Sequence, residues 1–250
     1  MYISRERLTE LLHRHYRLQG ALEELNGYDE QNAIITAGSG EKYIVKVCNA
    51  LQDPEFLQAQ VAILQKLSGS PDAAVFQQLQ PNTDGEALTP FTENGEPYVL
   101  RVLNFLEGDF LVDLPDHDAG LLYSIGETLG RMDQHLANFR HMGMHRHYEW
   151  DISNAMDAAQ YMDCISSHEK RRIAQYFLLQ FEMEVVPRLP QLRKAYIHND
   201  ANDYNVLVRN GRMSGLIDFG DMVYSALVNN LAVAITYAML SKEDPLSAAV

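Results

Sequence analysis

The chain has 250 residues, which is long enough for one large domain or two lobes. Hydrophobic residues make up 46% and charged residues 22% of the sequence, so a disordered tail is excluded and a globular protein is indicated. The net charge of −14 disfavours nucleic acid and anionic membranes as partners, because an acidic surface repels phosphate groups. The same charge favours cationic or metal-complexed ligands.

The cysteines and the N-terminus indicate a cytoplasmic protein. Cys48 and Cys164 lie far apart without ligand spacing, so neither a disulfide framework nor a zinc knuckle is predicted. The first 18 residues mix arginine with glutamate and place leucines on one helical face, which predicts a folded helix rather than a signal peptide. No apolar run reaches the roughly 18 to 20 residues that a membrane span needs. We therefore expect a small-molecule partner, and neither nucleic acid nor a membrane.

The first hundred residues are predicted to form an antiparallel sheet with one main helix. Three strand-like runs follow the first helix, separated by turn-rich segments: 20–25, 31–36 and 42–48. Asp53 and Pro54 then open an amphipathic helix that ends near Gly69. Three more strand-like runs complete this half: 74–79, 86–90 and 98–105. Hairpin signals separate them, namely Asp84-Gly85 and Asn94-Gly95.

From Asp116 onward the pattern becomes helical. Segments 119–139 and 165–186 are amphipathic, and Pro187 halts the second one. A sheet-rich half followed by a helix-rich half predicts two lobes, 1–103 and 104–250, with a cleft between them. The final residues, "SKEDPLSAAV", resemble the start of a helix, so we expect the chain to be a fragment truncated at its C-terminus.

One stretch concentrates acids and amides beside apolar residues: "AYIHNDANDYNVLVRNGRMSGLIDFGD", residues 195–221. Asn210-Gly211 predicts a tight hairpin, in which Asn205 and Asp218 become neighbours and Asp200 lies in the loop that feeds the first strand. Converging carboxylate and amide oxygens without sulfur suit Mg²⁺ better than Zn²⁺. The alternative is a surface loop of Asx turns. The apolar flanks favour the edge of a core.

These motifs resemble a known superfamily. "HNDANDYN" followed by "IDFGD" is similar to the catalytic loop and metal motif of the aminoglycoside phosphotransferase, choline kinase and homoserine kinase superfamily, relatives of protein kinases. "YIHNDANDYNVLV", "IDFGDMVYS" and "HRHYEWDIS" look most like the hydroxylysine kinase branch, including kinase domains fused to class III aminotransferases. The resemblance covers nearly the whole chain. It implies an α+β, bilobal protein-kinase-like fold with an antiparallel-sheet, nucleotide-binding N-lobe and a mostly helical C-lobe.

The resemblance also implies roles for individual residues of the loop and hairpin. Asp200 would be the catalytic aspartate that accepts the proton of the substrate hydroxyl, and Asn205 and Asp218 would hold Mg²⁺. His198 would support the loop structurally. Asn199 stands where the superfamily commonly has glycine, and we expect this change to be tolerated.

Lys46 matches the lysine that grips the α and β phosphates in kinase-like folds, although a strand lysine taken alone is more often solvated. In kinases, a glutamate on the following helix orients this lysine. Gln58 stands at the matching position here, and Gln60 is the amide that is more typical of the branch. This helix therefore offers Lys46 no carboxylate partner unless the side chain of Glu55 extends to the lysine. The resemblance further implies that backbone groups of Asn104 and Leu106 meet the nucleotide base.

No dinucleotide-binding or P-loop motif is present, so neither a Rossmann nor a Walker site is predicted. The turn "NGYDEQN" takes the place of the glycine-rich loop, and its Asp29 and Glu30 would oppose phosphate if they faced inward. We therefore expect the backbone amides of this turn to contact the nucleotide phosphates.

Four histidines lie close together without the spacing of a metal site: His135, His141, His145 and His147. Trp150 and Asp151 could bind an amine through cation–π and ionic contacts, and a packing role is the alternative. Asp221 and Tyr224 are comparable substrate candidates.

We therefore predict an Mg²⁺-dependent kinase that transfers the γ-phosphoryl group of ATP or GTP to the hydroxyl of a cationic amino alcohol such as hydroxylysine. A fused or partner aminotransferase is consistent with this prediction. A catalytically silent nucleotide-binding module is the first alternative, since the phosphate loop is atypical and the helix carboxylate is missing. A protein kinase is less favoured, because no "APE" segment or activation loop follows Asp218.

Overall fold

A computed structural model describes residues 2–27, 30–50, 53–240 and 242. The chain divides into two compact units, Met1–Glu107 and Gly108–Val250, whereas the sequence-based boundary was drawn at 103/104. Asp29 and most of the final segment lie outside the described residues, so the expectations for them are not addressed. No helix in the described part of the chain is long and apolar enough to cross a membrane.

The first unit is an antiparallel sheet with two helices. The helices are α1 (Arg5–Tyr16) and α2 (Pro54–Ser68). The strands are β1 (Gly20–Leu25), β2 (Gln31–Ala37), β3 (Lys42–Asn49), β4 (Leu79–Gln80), β5 (Thr89–Glu93) and β6 (Glu96–Asn104). Their order is β1-β2-β3-β6-β4, and β5 also pairs with β6. The predicted meander, main helix and last hairpin are confirmed.

Two predicted strands of this unit are largely wrong. Residues 86–90 share only Thr89 and Pro90 with β5, and Asp84-Gly85 does not form the predicted hairpin, because β4 and β5 both pair with β6. Residues 74–79 contribute only the first residue of the two-residue β4, and the 3₁₀ turn Ala73–Val75 occupies their beginning. Alanine is a poor strand former, and the apolar run "AAVF" carries no alternation that would define one buried face.

The two faces of the sheet bury different side chains. Leucines of α1 pack on the face that carries Val45 and Val47 of β3. The next residues of β3 point the opposite way, where Cys48 packs with Leu57 of α2. Lys46 shares the Cys48 face because side chains alternate along a strand. This lysine is therefore covered rather than solvated, with 7% of its surface exposed.

The described residues of the second unit form three α-helices and five strands. The helices are α3 (Ala119–Leu136), α4 (His168–Gln180) and α5 (Leu227–Met239). The strands are β7 (Asp109–Phe110), β8 (Lys194–Ile197), β9 (Val206–Arg209), β10 (Arg212–Leu216) and β11 (Val223–Ala226). They form two small antiparallel sheets, β10-β9-β7 and β11-β8. Helix α3 packs against β10 and α5. The helix-rich character predicted for this half is confirmed.

The second amphipathic segment does not continue as one α-helix to residue 186. Helix α4 ends at Gln180 and passes into a π-helical turn, Phe181–Val185, before Pro187. None of the residues of α4 is buried. Its large apolar side chains are exposed, among them Ile173, Tyr176, Phe177 and Leu179.

The hairpin of β9 and β10 turns at Asn210-Gly211 as predicted, with φ of 54° and 70° at the two residues. A β-bulge at Ser214 then shifts the register, because Met213 pairs with Val208 and Gly215 pairs with Leu207. The N–H of Ile217 consequently donates to the carbonyl oxygen of Asn205 at 3.0 Å. Asn205 and Asp218 are therefore neighbours, as the sequence predicted, although they do not form a direct pair. Asp218 directly follows the residue that is bonded to Asn205.

Candidate active site

The acidic and amide side chains of the second unit come together through strand pairing. One loop, residues 198–205, connects β8 to β9, and a second, residues 217–222, connects β10 to β11. Strand β11 pairs with β8 so that Val223 lies opposite Ile197. This pairing returns the second loop to the start of the first.

Asp200 is held by amide groups of its own loop. One carboxylate oxygen accepts from Asn202 Nδ2 at 2.9 Å, and the other accepts from Asn205 Nδ2 at 2.7 Å. Asn205 Nδ2 also donates to the backbone oxygen of Asp200 at 2.9 Å. Because both donated bonds use the nitrogen of the Asn205 amide, its carbonyl oxygen is left to accept from, or to ligate, another group.

Negative charge accumulates around Asp200. Burial, followed by the charges of Asp221 and Asp218, raises the pKa of Asp200 to about 7. The pKa of Asp221 is also raised, with burial as the largest cause. A nearby cation would reduce the mutual repulsion of these three carboxyl groups.

Asp218 has a left-handed backbone with φ of 58°, and its carboxylate accepts from Gly220 N at 3.3 Å. Together with the Asn205 carbonyl oxygen, it supplies hard oxygen donors of the kind that Mg²⁺ prefers. Within the described ranges, no group of three or more His, Cys, Asp or Glu side chains could hold a metal ion. The oxygen donors of Asn205 and Asp218 fit Mg²⁺ because this ion commonly takes only one or two protein ligands and completes its coordination with phosphate and water.

His198 is completely buried beneath the loop. Its Nδ1 accepts from the N–H of Asp200 at 3.3 Å, so Nε2 carries the proton and donates to Ile217 O at 3.0 Å. Burial lowers its pKa to about 4, and the nearby charge of Asp218 opposes this change. A neutral imidazole therefore links the loop of Asp200 to the strand end that precedes Asp218.

Asn199 adopts a left-handed conformation with φ of 68°. Asparagine is the residue after glycine that tolerates this region best, which explains how it can stand at a position where glycine was expected. Its side-chain nitrogen donates to Trp150 O at 3.3 Å, and its backbone N–H donates to Asn230 Oδ1 at 3.4 Å.

Two residues that sequence reasoning missed support Asp221. Tyr148 donates a short hydrogen bond from its hydroxyl to Asp221 Oδ1. Arg146 lies 4.0 Å from the centre of the Tyr148 ring and donates to Gly220 O at 3.0 Å and Met222 O at 3.2 Å. Both belong to the quoted segment "HRHYEWDIS", but nothing in that segment indicates that it packs beside residues 220–222.

The remaining substrate candidates occupy different surroundings. Trp150 is 61% exposed, whereas Asp151 is buried and accepts from Ser225 Oγ at 2.8 Å and Asn229 Nδ2 at 3.1 Å. These contacts favour the packing role that was left open for Asp151. The ring of Tyr224 contacts that of His145 in a tilted arrangement, with the ring centroids 4.3 Å apart.

In the first unit, Lys46 has a carboxylate partner that the sequence did not indicate. Its Nζ lies 3.3 Å from Glu30 Oε2, and Arg101 Nη2 lies 2.7 Å from Glu30 Oε1. Lys46 and Arg101 lie opposite each other on paired strands, so two buried cations share one anion. Glu30 comes from the turn before β2 and not from a helix.

The glutamine candidates of α2 face different ways. Gln60 is buried, whereas Gln58 and Glu55 are exposed, so Gln58 does not take an inward position. At the other end of the unit, the N–H of Asn104 donates to Gln78 O at 2.9 Å, and Leu106 follows the end of β6. Any base contact through the Asn104 N–H would have to replace that bond.

Comparison with known proteins identifies the family of the chain. The model of the phosphotransferase enzyme family (APH) matches residues 22–249. The chain belongs to this phosphotransferase family. It is 27% identical to the hydroxylysine kinase of Mus musculus over 250 residues, which cover 90% of the chain and 66% of that protein. It is 28% identical to the homoserine kinase of Methylobacillus flagellatus over 215 residues, 84% of the chain and 60% of that protein. The chain thus spans about two thirds of the length of these curated relatives.

Solved structures support the phosphotransferase fold. An amicoumacin kinase in complex with AMP-PNP, Ca²⁺ and Ami is 17% identical with a TM-score of 0.73, covering 99% of this chain and 76% of that one. A microcompartment-associated aminopropanol kinase is 17% identical with a TM-score of 0.65, covering 91% of this chain and 73% of that one. The predicted α+β, protein-kinase-like fold is confirmed at this level.

Proposed function

We propose that this phosphotransferase family member is a small-molecule kinase that transfers the γ-phosphoryl group of ATP or GTP to the hydroxyl of an amino alcohol such as hydroxylysine. One observation carries the proposal: Asp200 and Asn205 are joined through a 2.7 Å hydrogen bond in a loop that ends beside Asp218. Phosphoryl transfer depends mainly on positioning and charge stabilisation, and such an arrangement meets both needs.

Asp200 is proposed to orient the acceptor hydroxyl and to take its proton as the oxygen attacks the phosphorus atom. Two donated hydrogen bonds fix both carboxylate oxygens, so the group is held in one orientation. The neutral, buried His198 cannot compete for the proton near neutral pH, because its pKa is about 4. Its role in this proposal is to hold the loop.

Asn205 and Asp218 are proposed to hold Mg²⁺, and Lys46 to contact the nucleotide phosphates. The metal would supply charge neutralisation on the phosphate oxygens. Glu30 would position Lys46 in place of a helix glutamate, as its ion pairs with Lys46 and Arg101 suggest. Gln60, Asn104 and Leu106 remain predicted nucleotide contacts.

The acceptor is proposed to be cationic. Asp221 lies beside Asp200 and is held by Tyr148, so the loop carries a second carboxyl group that could bind an ammonium. The hydroxylysine and homoserine kinase relatives support an acceptor that carries both an amine and a hydroxyl.

The decisive experiment measures transfer of labelled γ-phosphate from ATP or GTP, with Mg²⁺, to 5-hydroxylysine. Lysine is the matched control, because it keeps the charges and lacks the hydroxyl. We expect phosphorylated hydroxylysine and no product from lysine. The Asp200→Asn variant should lose a factor of about 10³ in kcat, or about 4 kcal/mol of transition-state stabilisation.

Other outcomes separate the alternatives. Nucleotide binding without transfer to a panel of amino alcohols would support a silent nucleotide-binding module. Transfer by Asp200→Asn at the wild-type rate would contradict the role of that aspartate.

A further inference from the structure

A polar chain inside the second unit connects helices α3 and α5 to the loop of Asp200. Asn230 on α5 is 1% exposed, and its Nδ2 donates to Asp133 Oδ1 of α3 at 2.9 Å. On its other side, Asn230 Oδ1 accepts from the backbone N–H of Asn199 at 3.4 Å. Three elements that are distant in sequence are thus joined through one side-chain amide.

The direction of the Asn230 amide is decided by Asp133. A side-chain amide has an accepting end and a donating end, whereas a carboxylate only accepts. Above pH 7, where Asp133 is ionised, it therefore requires the nitrogen of Asn230 to face it, which leaves the oxygen facing the N–H of Asn199. If the amide were reversed, it would set two donors against each other at Asn199 and two acceptors against each other at Asp133, and both mismatches are costly in a buried place.

The bond from Asn199 is made at a conformationally demanding position. The residue has φ of 68°, and the next residue is Asp200. Asparagine tolerates this conformation better than most residues, but the conformation still costs energy, and the bond to Asn230 helps to hold it. Loss of the acceptor on Asn230 would therefore disturb the backbone immediately before the proposed base.

We infer that Asp133 is a positioning residue: by fixing the orientation of the Asn230 amide, it holds the left-handed turn at Asn199 and thereby the placement of Asp200. This inference rests on the proposed kinase function for its catalytic consequence. Its structural part stands on the two hydrogen bonds alone. Asp133 touches neither Asp200 nor the proposed metal ligands in any of the described contacts, and it acts through Asn230.

A swap of the two side chains tests the inference. In Asp133→Asn the constraint on amide direction is relaxed, and in Asn230→Asp two carboxyl groups meet in a buried place. In the double variant Asp133→Asn/Asn230→Asp, the new amide donates to the new carboxylate, which still accepts from Asn199 N–H. The polarity of the whole chain of bonds is restored.

We expect kcat to fall about tenfold in each single variant and to recover to within about threefold of wild type in the double variant, as for directly coupled residues. The KM for the nucleotide should remain within about twofold, because the change concerns placement of Asp200 and not nucleotide binding. All rates are measured at a pH about one and a half units above 7, where Asp133 is ionised, and well below the unfolding temperature of each variant. A role in stability alone would leave kcat unchanged under these conditions.

Amide hydrogen exchange at Asn199, followed by NMR, provides a readout that does not need activity. Exchange of this N–H should accelerate in both single variants and slow again in the double variant. Glu127→Gln is the control, because Glu127 lies on the same helix and pairs with Arg131 at 2.8 Å instead. It should leave both readouts unchanged.

Failure of this inference can be distinguished from failure of the proposed kinase function. If the wild-type chain transfers phosphate to no acceptor, the proposed function fails, and the exchange pattern still decides whether Asp133 orients the loop. The inference is overturned if the single variants keep the wild-type exchange rate at Asn199, or if the double variant is no better than the worse single variant.

Discussion

The carboxylate of Glu30 lies 3.3 Å from the ammonium nitrogen of Lys46 and simultaneously pairs with Arg101. Two cations placed opposite each other on neighbouring strands repel, and the Glu30 carboxylate, which pairs with both of them, offsets that repulsion. The same carboxylate would be the first group to meet the phosphates that Lys46 is proposed to bind.

Replacing Glu30 with glutamine is therefore expected to destabilise the protein by about 3 kcal/mol, since it removes the carboxylate that pairs with both buried cations. Mg²⁺-nucleotide should recover part of this loss, because phosphate can take the place of the carboxylate. Thermal unfolding with and without nucleotide measures both effects. Glu96→Gln, at an exposed position of β6, is the control. An equal nucleotide-induced shift in wild type and Glu30→Gln would count against phosphate binding at Lys46.

Asp218→Ala should abolish metal-dependent nucleotide binding while leaving the fold intact. At about 100 times its dissociation constant, a ligand adds about 2.7 kcal/mol of stability, which shifts the unfolding temperature by several degrees for a chain of this size. We expect that shift for wild type with Mg²⁺ and ATP or GTP, and none for the variant. A full shift in Asp218→Ala would remove this residue from the metal site.

Tyr148→Phe removes the hydroxyl that donates to Asp221 and little else. Loss of one hydrogen bond to a carboxylate costs about 1.5 to 3 kcal/mol, so we expect kcat/KM for a cationic acceptor to fall by at least about tenfold. The exposed Tyr161 provides the matched control, Tyr161→Phe, which should have no effect. Equal kinetics in the two variants would show that Asp221 does not need Tyr148.

The pH dependence of stability should report on Asp133. Burial raises its pKa from 3.8 to about 7 in the folded protein. The folded state then holds a proton that the unfolded state releases, so this group's contribution is full below pH 3.8 and is lost as the pH rises through 7. The loss is at most about 1.4 kcal/mol per pH unit. Urea unfolding at pH 5 and pH 8 should therefore show a smaller decrease for Asp133→Asn than for wild type. Indistinguishable decreases would mean that Asp133 titrates normally.

Asn199→Gly and Asn199→Ala form a matched pair that tests the left-handed turn. Glycine adopts a positive φ without strain, so Asn199→Gly should retain kcat within a few-fold even though the bond to Trp150 is lost. Alanine at φ of 68° should cost about 1 to 2 kcal/mol of stability and reduce kcat. Equal behaviour of the two variants would show that backbone conformation at this position is unimportant for Asp200.

The features that sequence predicted well are local. Asn94-Gly95 and Asn210-Gly211 form the expected hairpin turns because both residues of each pair adopt a positive φ without help from the rest of the fold. Asp53 caps α2 as expected through its bond to Phe56 N, which also lies within one turn of chain.

The features that sequence did not predict depend on packing between distant segments. Glu30 reaches Lys46 because the pairing of β2 with β3 places Gln31 opposite Val47, and the pairing of β3 with β6 brings the distant Arg101 to the same carboxylate. Tyr148 and Asp221 are 73 residues apart in the chain, and no local sequence pattern predicts their hydrogen bond. Helix α4 has an amphipathic sequence, yet its apolar residues are exposed, so periodicity alone could not predict its burial.

The bulge at Ser214 makes the pairing register of β10 important for the proposed metal site. An unbulged strand would place Leu216 opposite Asn205, whereas the extra residue brings Ile217 to that position and Asp218 one step closer. A regular ladder that kept all five residues of β10 would therefore place Asp218 two residues beyond the partner of Asn205 instead of one. The register of β10, and not only the identity of the acids, thus determines how near the two proposed metal-binding side chains lie, even though β10 carries none of the reacting groups.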